Sequence, residues 1–342
     1  MASEAPPFWW EAADWRAAAL WPFSALYGLA ASYRMRAAKR EETGVPVLCI
    51  GNFTVGGEGK TPVAIALGRE AREQGLKPGF LSRGHGGSFS GPHLVDPHHD
   101  SARLVGDEPL LLAEHAATVV TPDRAAGARR LVEEGCDFIL MDDGFQSARI
   151  RIDHALIVVD ASRGLGNGHV IPGGPLRAPL LEQLRHADAI LRMGAGEDAD
   201  EVVRMASRAG KPVFEAHVEP RSGHDLRGKE LLAFAGIGNP GKFFETLRQA
   251  GGKIAVERPF PDHHVFTEEE LRELSSVAEG KGYSLVTTAK DAVRLRHGSK
   301  SMRRFAESIH VLEIDVVFEN PATPVTLIRR TVEAWKERRL KV

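Results

Sequence analysis

Along residues 41–220 the apolar positions come in short blocks separated by polar, glycine-punctuated stretches. Runs rich in Val, Ile, Leu and Phe stand at residues 45–50, 80–82, 118–121, 138–141 and 155–159. Each is too short for a helix and largely unbroken by polar side chains, as a strand covered on both faces requires. Between them, residues 64–74 and 124–134 carry helical patterns, the first ending at Gly75. Residues 105–109 open a further helix that continues into Leu110, Leu111 and Leu112. Strands alternating with helices up to about Pro220 predict a mostly parallel sheet covered on both faces. Ligands of such a sheet bind at the carboxyl ends of its strands.

A second α/β pattern begins near Leu231. A strand at 231–235 precedes a helix at 242–250, and Thr267 with Glu270 makes a capping box. A strand at 285–288, a long strand at 309–317 and an amphipathic helix at 325–338 follow. With 342 residues, two domains are expected, at roughly 150 residues per domain. The division expected is 1–40 as an N-terminal helical segment, 41–220 as the larger domain, 221–320 as a smaller domain with linker strands, and 321–342 as a C-terminal helix.

The first forty residues have a pattern of their own. Trp9, Trp10, Trp15 and Trp21 are four of the five tryptophans, and residues 17–33 carry no charge. Arg34, Arg36, Lys39 and Arg40 follow. A signal peptide has its cations before the apolar run, and a spanning helix needs ~20 apolar residues without Pro22. An interfacial helix that meets a membrane surface fits this order, with aromatic rings at headgroup depth and cations on anionic lipid. A helix packed only on the protein is the competing expectation. The net charge of −2 argues against general nucleic-acid binding. Cys49 and Cys136, in or beside apolar runs, read as core residues of a chain in a reducing compartment.

The chemistry concentrates in Thr54-Val55-Gly56-Gly57-Glu58-Gly59-Lys60-Thr61. Strand, glycine-rich turn, Lys-Thr and helix are the parts of a phosphate-binding loop. Glycines let amides close on an anion, and the helix N-terminus adds partial positive charge. Lys60 is the expected phosphate contact and Thr61 a Mg²⁺ ligand. Thr54 stands where the strict pattern has glycine. Asp142 and Asp143 end an apolar strand, where nucleotide-binding sheets position a metal ligand. Residues 163–177 hold too many glycines and prolines for a regular element and form a long loop.

Three further signals have two readings each. Asp107 is a helix cap or a functional acid. Asp262-His263-His264 is an exposed loop or the site of a proton-handling histidine. Residues 236–241 match G-x-G-x-x-G with Glu257 about twenty residues on, a dinucleotide pattern that an ordinary helix start also satisfies.

Taken together, GNFTVGGEGKTP (51–62), SRGHGG (82–87), VGDEPLLLA (105–113), DDGFQ (142–146), GLGNGHVIPGGPLR (164–177), PDHH (261–264) and TTAKDAVRL (287–295) resemble the bacterial tetraacyldisaccharide 4′-kinase, or lipid A 4′-kinase, family. The resemblance implies a P-loop NTPase-type domain with a mostly parallel sheet, joined by a two-stranded linker to a smaller α/β domain. It implies transfer of the ATP γ-phosphate, with Mg²⁺, to the 4′-hydroxyl of a tetraacylated glucosamine disaccharide 1-phosphate, giving lipid IVA. The place implied is the cytoplasmic face of the bacterial inner membrane, with the protein peripheral or monotopic, and no protein partner is implied. By the same resemblance Lys60 and Thr61 meet phosphate and Mg²⁺, and Asp142 and Asp143 are the acidic pair at the metal. Asp107 is the general base, working with His263, and Arg177 belongs to the substrate-side loop. Ala178 and Ala289 depart from the family pattern, which often has acidic residues there. A nucleotide-hydrolysing switch and a dinucleotide-dependent oxidoreductase are the alternatives from other classes.

Overall fold

The computed structural model describes residues 5–340 except 57–58, 85–90, 147–148, 222–225 and 227. Eight strands come first: β1 Val47–Gly51, β2 Pro78–Ser82, β3 His93–Leu94, β4 Thr118–Val120, β5 Phe138–Asp142, β6 His154–Asp160, β7 Ala189–Met193 and β8 Val213–Pro220. Four build a smaller sheet: β9 Glu230–Ala235, β10 Lys253–Pro259, β11 Ser284–Thr288 and β12 His310–Leu312. The last, β13 Ile314–Phe318, returns to the first sheet.

The larger sheet runs β13-β8-β7-β6-β1-β5-β2-β4-β3, with antiparallel pairing only at its two edges. Alternate residues of the central strands enter opposite cores, as the two-residue side-chain period demands. Val47 and Cys49 face a core shared with Leu131, Met35 and Leu184. Leu48 and Ile50 face the other, shared with Val63 and Leu67 of the helix Lys60–Glu73 and with Leu327 and Ile328 of the terminal helix. This double burial explains why these strands read as continuous apolar runs. The chain leaves β1 to one side through β2 and fills the other with β6 to β8, so the order switches at β1. Its carboxyl end is where the fold places a crevice.

The smaller sheet, β10-β9-β11-β12, is parallel and also buried on two faces. The single long strand expected at 309–317 is two strands in different sheets, broken at Glu313. Here the return path is tied to the outgoing one. The Arg221 amide donates to the Glu313 carbonyl (2.9 Å), and its guanidinium grips Asp315 (2.7 and 2.9 Å).

The helix Trp15–Ala37 is capped by Asp14 and contains Pro22. Ala17, Ser24, Gly28, Ala31 and Met35 face the protein, whereas Trp15, Trp21, Phe23, Leu26, Leu29 and Tyr33 are exposed. Its inner face meets the 163–177 loop. The Gly173 amide donates to Ser24 Oγ (2.9 Å), and Trp9 Nε1 to the Pro172 carbonyl (3.0 Å). Arg36 pairs with buried Glu182. Among the described residues no helix is long and apolar enough to cross a membrane. Cys49 and Cys136 are buried and form no disulfide.

Candidate active site

β1 ends where Gly51 allows the Phe145 side chain to approach; a Cβ there would lie 2.6 Å from the Phe145 Cβ. The following loop is held from three sides. Val55 N donates to the Pro175 carbonyl (2.9 Å), and Asn52 Nδ2 (3.1 Å) and Lys60 Nζ (3.3 Å) both donate to the Gly56 carbonyl. Thr54 bridges to Leu176. Gly59, at φ +81°, caps the helix in a conformation that suits glycine. Gly57 and Glu58 lie outside the described residues, as do residues 85–87 of the second glycine-rich turn. Lys60 and Thr61 are buried in the first turn of the helix Lys60–Glu73, with the Lys60 ammonium 3.9 Å from Asp143.

Parallel pairing sets Asp142 opposite Ile50, beside the loop. Its carboxyl is buried, and Oδ1 has no hydrogen-bond partner. Burial, reinforced by the Glu108 charge, pushes the pKa of Asp142 up to about 7. A buried carboxylate oxygen lacking a hydrogen-bond partner is a place for a cation to complete. Asp143 sits at φ 52°. Arg177 grips both of its oxygens (2.7 and 3.2 Å) and donates to the Thr54 carbonyl (2.9 Å). Burial opposes ionisation of Asp143, but the charges of Lys60 and Arg177 prevail and bring it down to about 2. Arg177, the residue assigned to the substrate-side loop, therefore ties that loop to both the phosphate loop and the acidic pair. Among the described residues no three His, Cys, Asp or Glu side chains converge on a metal position. Mg²⁺ needs no such cage, since one or two carboxylates with phosphate oxygens and water hold it.

Asp107 is the first residue of the helix Asp107–Ala113 rather than its cap, which is Gly106. Its Oδ1 accepts from Glu108 N (3.0 Å). Its Oδ2 receives His263 Nδ1 at 3.2 Å, and Arg294 Nε and Nη2 at 2.9 and 2.7 Å. Burial disfavours the Asp107 carboxylate, but the His263 hydrogen bond and the charges of Lys290 and Arg294 hold it far below the usual range. The hydrogen bond to Asp107 raises the pKa of His263. His264 is engaged elsewhere. Its Nε2 meets both Glu270 oxygens (3.0 and 3.1 Å), and its ring stacks on Phe260.

In residues 236–241, the dinucleotide-like match, both polar backbone groups of Gly236 are bonded within its own unit. The Gly236 amide donates to Asp291 (3.1 Å), and its carbonyl accepts from His263 N (3.1 Å) and Arg294 Nη1 (2.9 Å). Glu257 pairs with Arg248. The dinucleotide reading is corrected accordingly, because the first amide of the loop is consumed within its own unit. Other contacts between the sheets escaped the sequence reading: Lys290 with Glu108 (2.5 Å), Arg294 with Asp107, and Lys242 with Asp160 (2.5 Å). The signal for two of them was present. Lys290 and Arg294, four residues apart within TTAKDAVRL, share one helix face.

Lys60, Thr61, Asp107, Asp143, Arg177 and His263 open on one cleft of about 2960 Å³, with Asp142 buried behind its lining. Pockets for a single small ligand hold roughly 300–1,000 Å³, so the cleft has room for two reactants.

Comparison with known proteins agrees over nearly the whole chain. The family described as Tetraacyldisaccharide-1-P 4'-kinase (LpxK) matches residues 16–333. The tetraacyldisaccharide 4'-kinase of Mesorhizobium japonicum is 61% identical over 342 residues, covering 100% of both chains. That of Chelativorans sp. is 62% identical over 340 residues, covering 99% of each. The crystal structure of LpxK from Aquifex aeolicus in complex with ATP matches with a TM-score of 0.72 and 28% identity, over 92% of this chain and 99% of that one. Motifs, fold and relatives converge: this chain belongs to the tetraacyldisaccharide-1-phosphate 4′-kinase family.

Proposed function

We propose that the chain transfers the γ-phosphate of ATP to the 4′-hydroxyl of a tetraacylated glucosamine disaccharide 1-phosphate, the step of lipid A biosynthesis that gives lipid IVA. One observation carries the reading at the level of the site. The Asp107–His263 pair joins the two α/β units on the cleft that also holds Lys60, Thr61 and Asp143.

The division of labour follows from the electrostatics. Asp107 stays ionised, so it orients and does not itself take up the proton. His263 donates from Nδ1 to Asp107, which leaves Nε2 to accept the hydrogen of the sugar hydroxyl. Asp107 then stabilises the imidazolium. Lys60 neutralises the phosphate being transferred, and Arg177 keeps Asp143 and the loop carbonyl of Thr54 in register. Thr61, Asp142 and Asp143 would hold Mg²⁺, which supplies positive charge to the nucleotide phosphates. The unpartnered Asp142 oxygen is the observation that fits this ion.

The exposed aromatic face of the helix Trp15–Ala37 supports docking on the cytoplasmic leaflet of the inner membrane as a peripheral or monotopic protein. The lipid-anchored substrate would then reach the cleft from the bilayer.

The test is incubation with ATP, Mg²⁺ and the disaccharide in detergent micelles. A gain of one phosphate by mass is expected. Nucleotide hydrolysis with no phosphorylated lipid would instead favour a switch.

A further inference from the structure

The second glycine loop matches a nucleotide motif, yet its first residue is held tightly within its own unit. Gly236 accepts from the His263 amide and from Arg294, while its own amide is held by Asp291, which is fully buried. Arg294 Nη1 also meets Asp291 at 2.8 Å. A Cβ on Gly236 would stand 3.1 Å from Asp291 Oδ1 and 3.2 Å from Arg294 Nη1, closer than an unshifted neighbour tolerates. The loop is thus a platform that fixes the backbone of one residue and the guanidinium of another. From that platform Arg294 reaches to the other unit and places two N–H groups on Asp107 Oδ2, the oxygen that faces His263.

We propose that Arg294 is a positioning residue for phosphoryl transfer. Anchored by Gly236 and Asp291, it holds Asp107 as an oriented carboxylate, so that His263 is the member of the pair that changes protonation. The inference rests on the Asp107–His263 reading and gives the dinucleotide-like loop its purpose. A guanidinium that places two N–H groups on one carboxylate oxygen fixes both the charge and the rotamer of the acid, whereas an ammonium fixes only the charge. The charged groups that bear on the pair are Glu108 beside Asp107, Asp262 and His264 on the loop of His263, and Lys290 and Asp291 on the helix of Arg294. Removing Arg294 leaves Asp107 more available to His263 and strengthens imidazolium formation.

The experiment compares Arg294→Met, Arg294→Lys, Asp291→Asn and His263→Ala with the parent protein, measuring kcat, KM and the pH dependence of kcat. Arg294→Met should lose about 10²-fold in kcat near neutral pH. Its rising limb should move to higher pH, so the loss shrinks in alkaline buffer, while KM for ATP stays within about twofold. Arg294→Lys should fall between the two, with a smaller displacement. A uniform loss at every pH with the limb unmoved, or no loss at all, overturns the proposal. If Arg294→Met lacks a cooperative thermal transition, Arg294→Lys and Asp291→Asn decide the matter, and an unmoved limb in both overturns it. His263→Ala separates the two layers. Unaltered activity in that variant removes the base assignment itself, whereas an inactive His263→Ala beside unmoved Arg294 limbs removes only the role of Arg294.

Discussion

Two glycine-rich loops, residues 54–61 and 236–241, follow buried strands and precede helices, and both match nucleotide motifs. Their surroundings differ. The first ends in Lys60-Thr61, beside a buried carboxylate on the adjacent strand, Asp142, whose Oδ1 has no hydrogen-bond partner. After the second comes Pro240, and the Gly236 amide and carbonyl are already bonded to Asp291, Arg294 and His263. A glycine pattern therefore specifies how closely backbone can approach something. What it approaches is set by the side chains that arrive from other elements: in the proposed function, an anion in one case and the support of a base in the other.

The contrast can be broken by substitution. The largest effect is expected for Lys60→Ala, where loss of the loop cation should reduce kcat by about 10³-fold, in the range seen when a charge-stabilising group is removed. Asp107→Asn comes next, at about 10²-fold or more. Here the pH profile carries a sign. Asp107 raises the pKa of His263, so the parent's activity should rise with pH through a midpoint above the ordinary value of about 6.5, and the Asn variant's midpoint should fall. A midpoint that does not move contradicts the pairing. Gly236→Ala should cost about tenfold in kcat through displacement of Asp291 and Arg294, with nucleotide affinity intact. If that variant instead loses ATP affinity as Lys60→Ala does, the two loops are not different in kind. The smallest chemical effect belongs to Trp21→Ser with Phe23→Ser. Turnover in detergent should hold, while co-sedimentation with anionic vesicles falls, because Trp21 and Phe23 are exposed and do not line the cleft.

Much of this was legible in the chain. The phosphate loop comes from its glycine and Lys-Thr motif, the acidic strand end and the alternation of strands with helices from local periodicity, and β1, β5 and β6 lie where their apolar runs stand. The partnership of Asp107 with His263 came from resemblance, since 156 positions separate them and local spacing carries no sign of their contact. The break at Glu313 was hidden because β12 and β13 are both apolar, and periodicity does not report which sheet receives a strand. Arg294 and Lys290 stand within TTAKDAVRL, but their role depends on a cleft assembled from distant segments. The capping box of Thr267 and Glu270 formed as read, being a feature that four residues decide among themselves.

The most direct test is a crystal structure with a non-hydrolysable ATP analogue and Mg²⁺. The account predicts the triphosphate against Lys60 and Thr61, with the ion on the free oxygen of Asp142. Nucleotide density at residues 236–241, with residues 54–61 unoccupied, would contradict it.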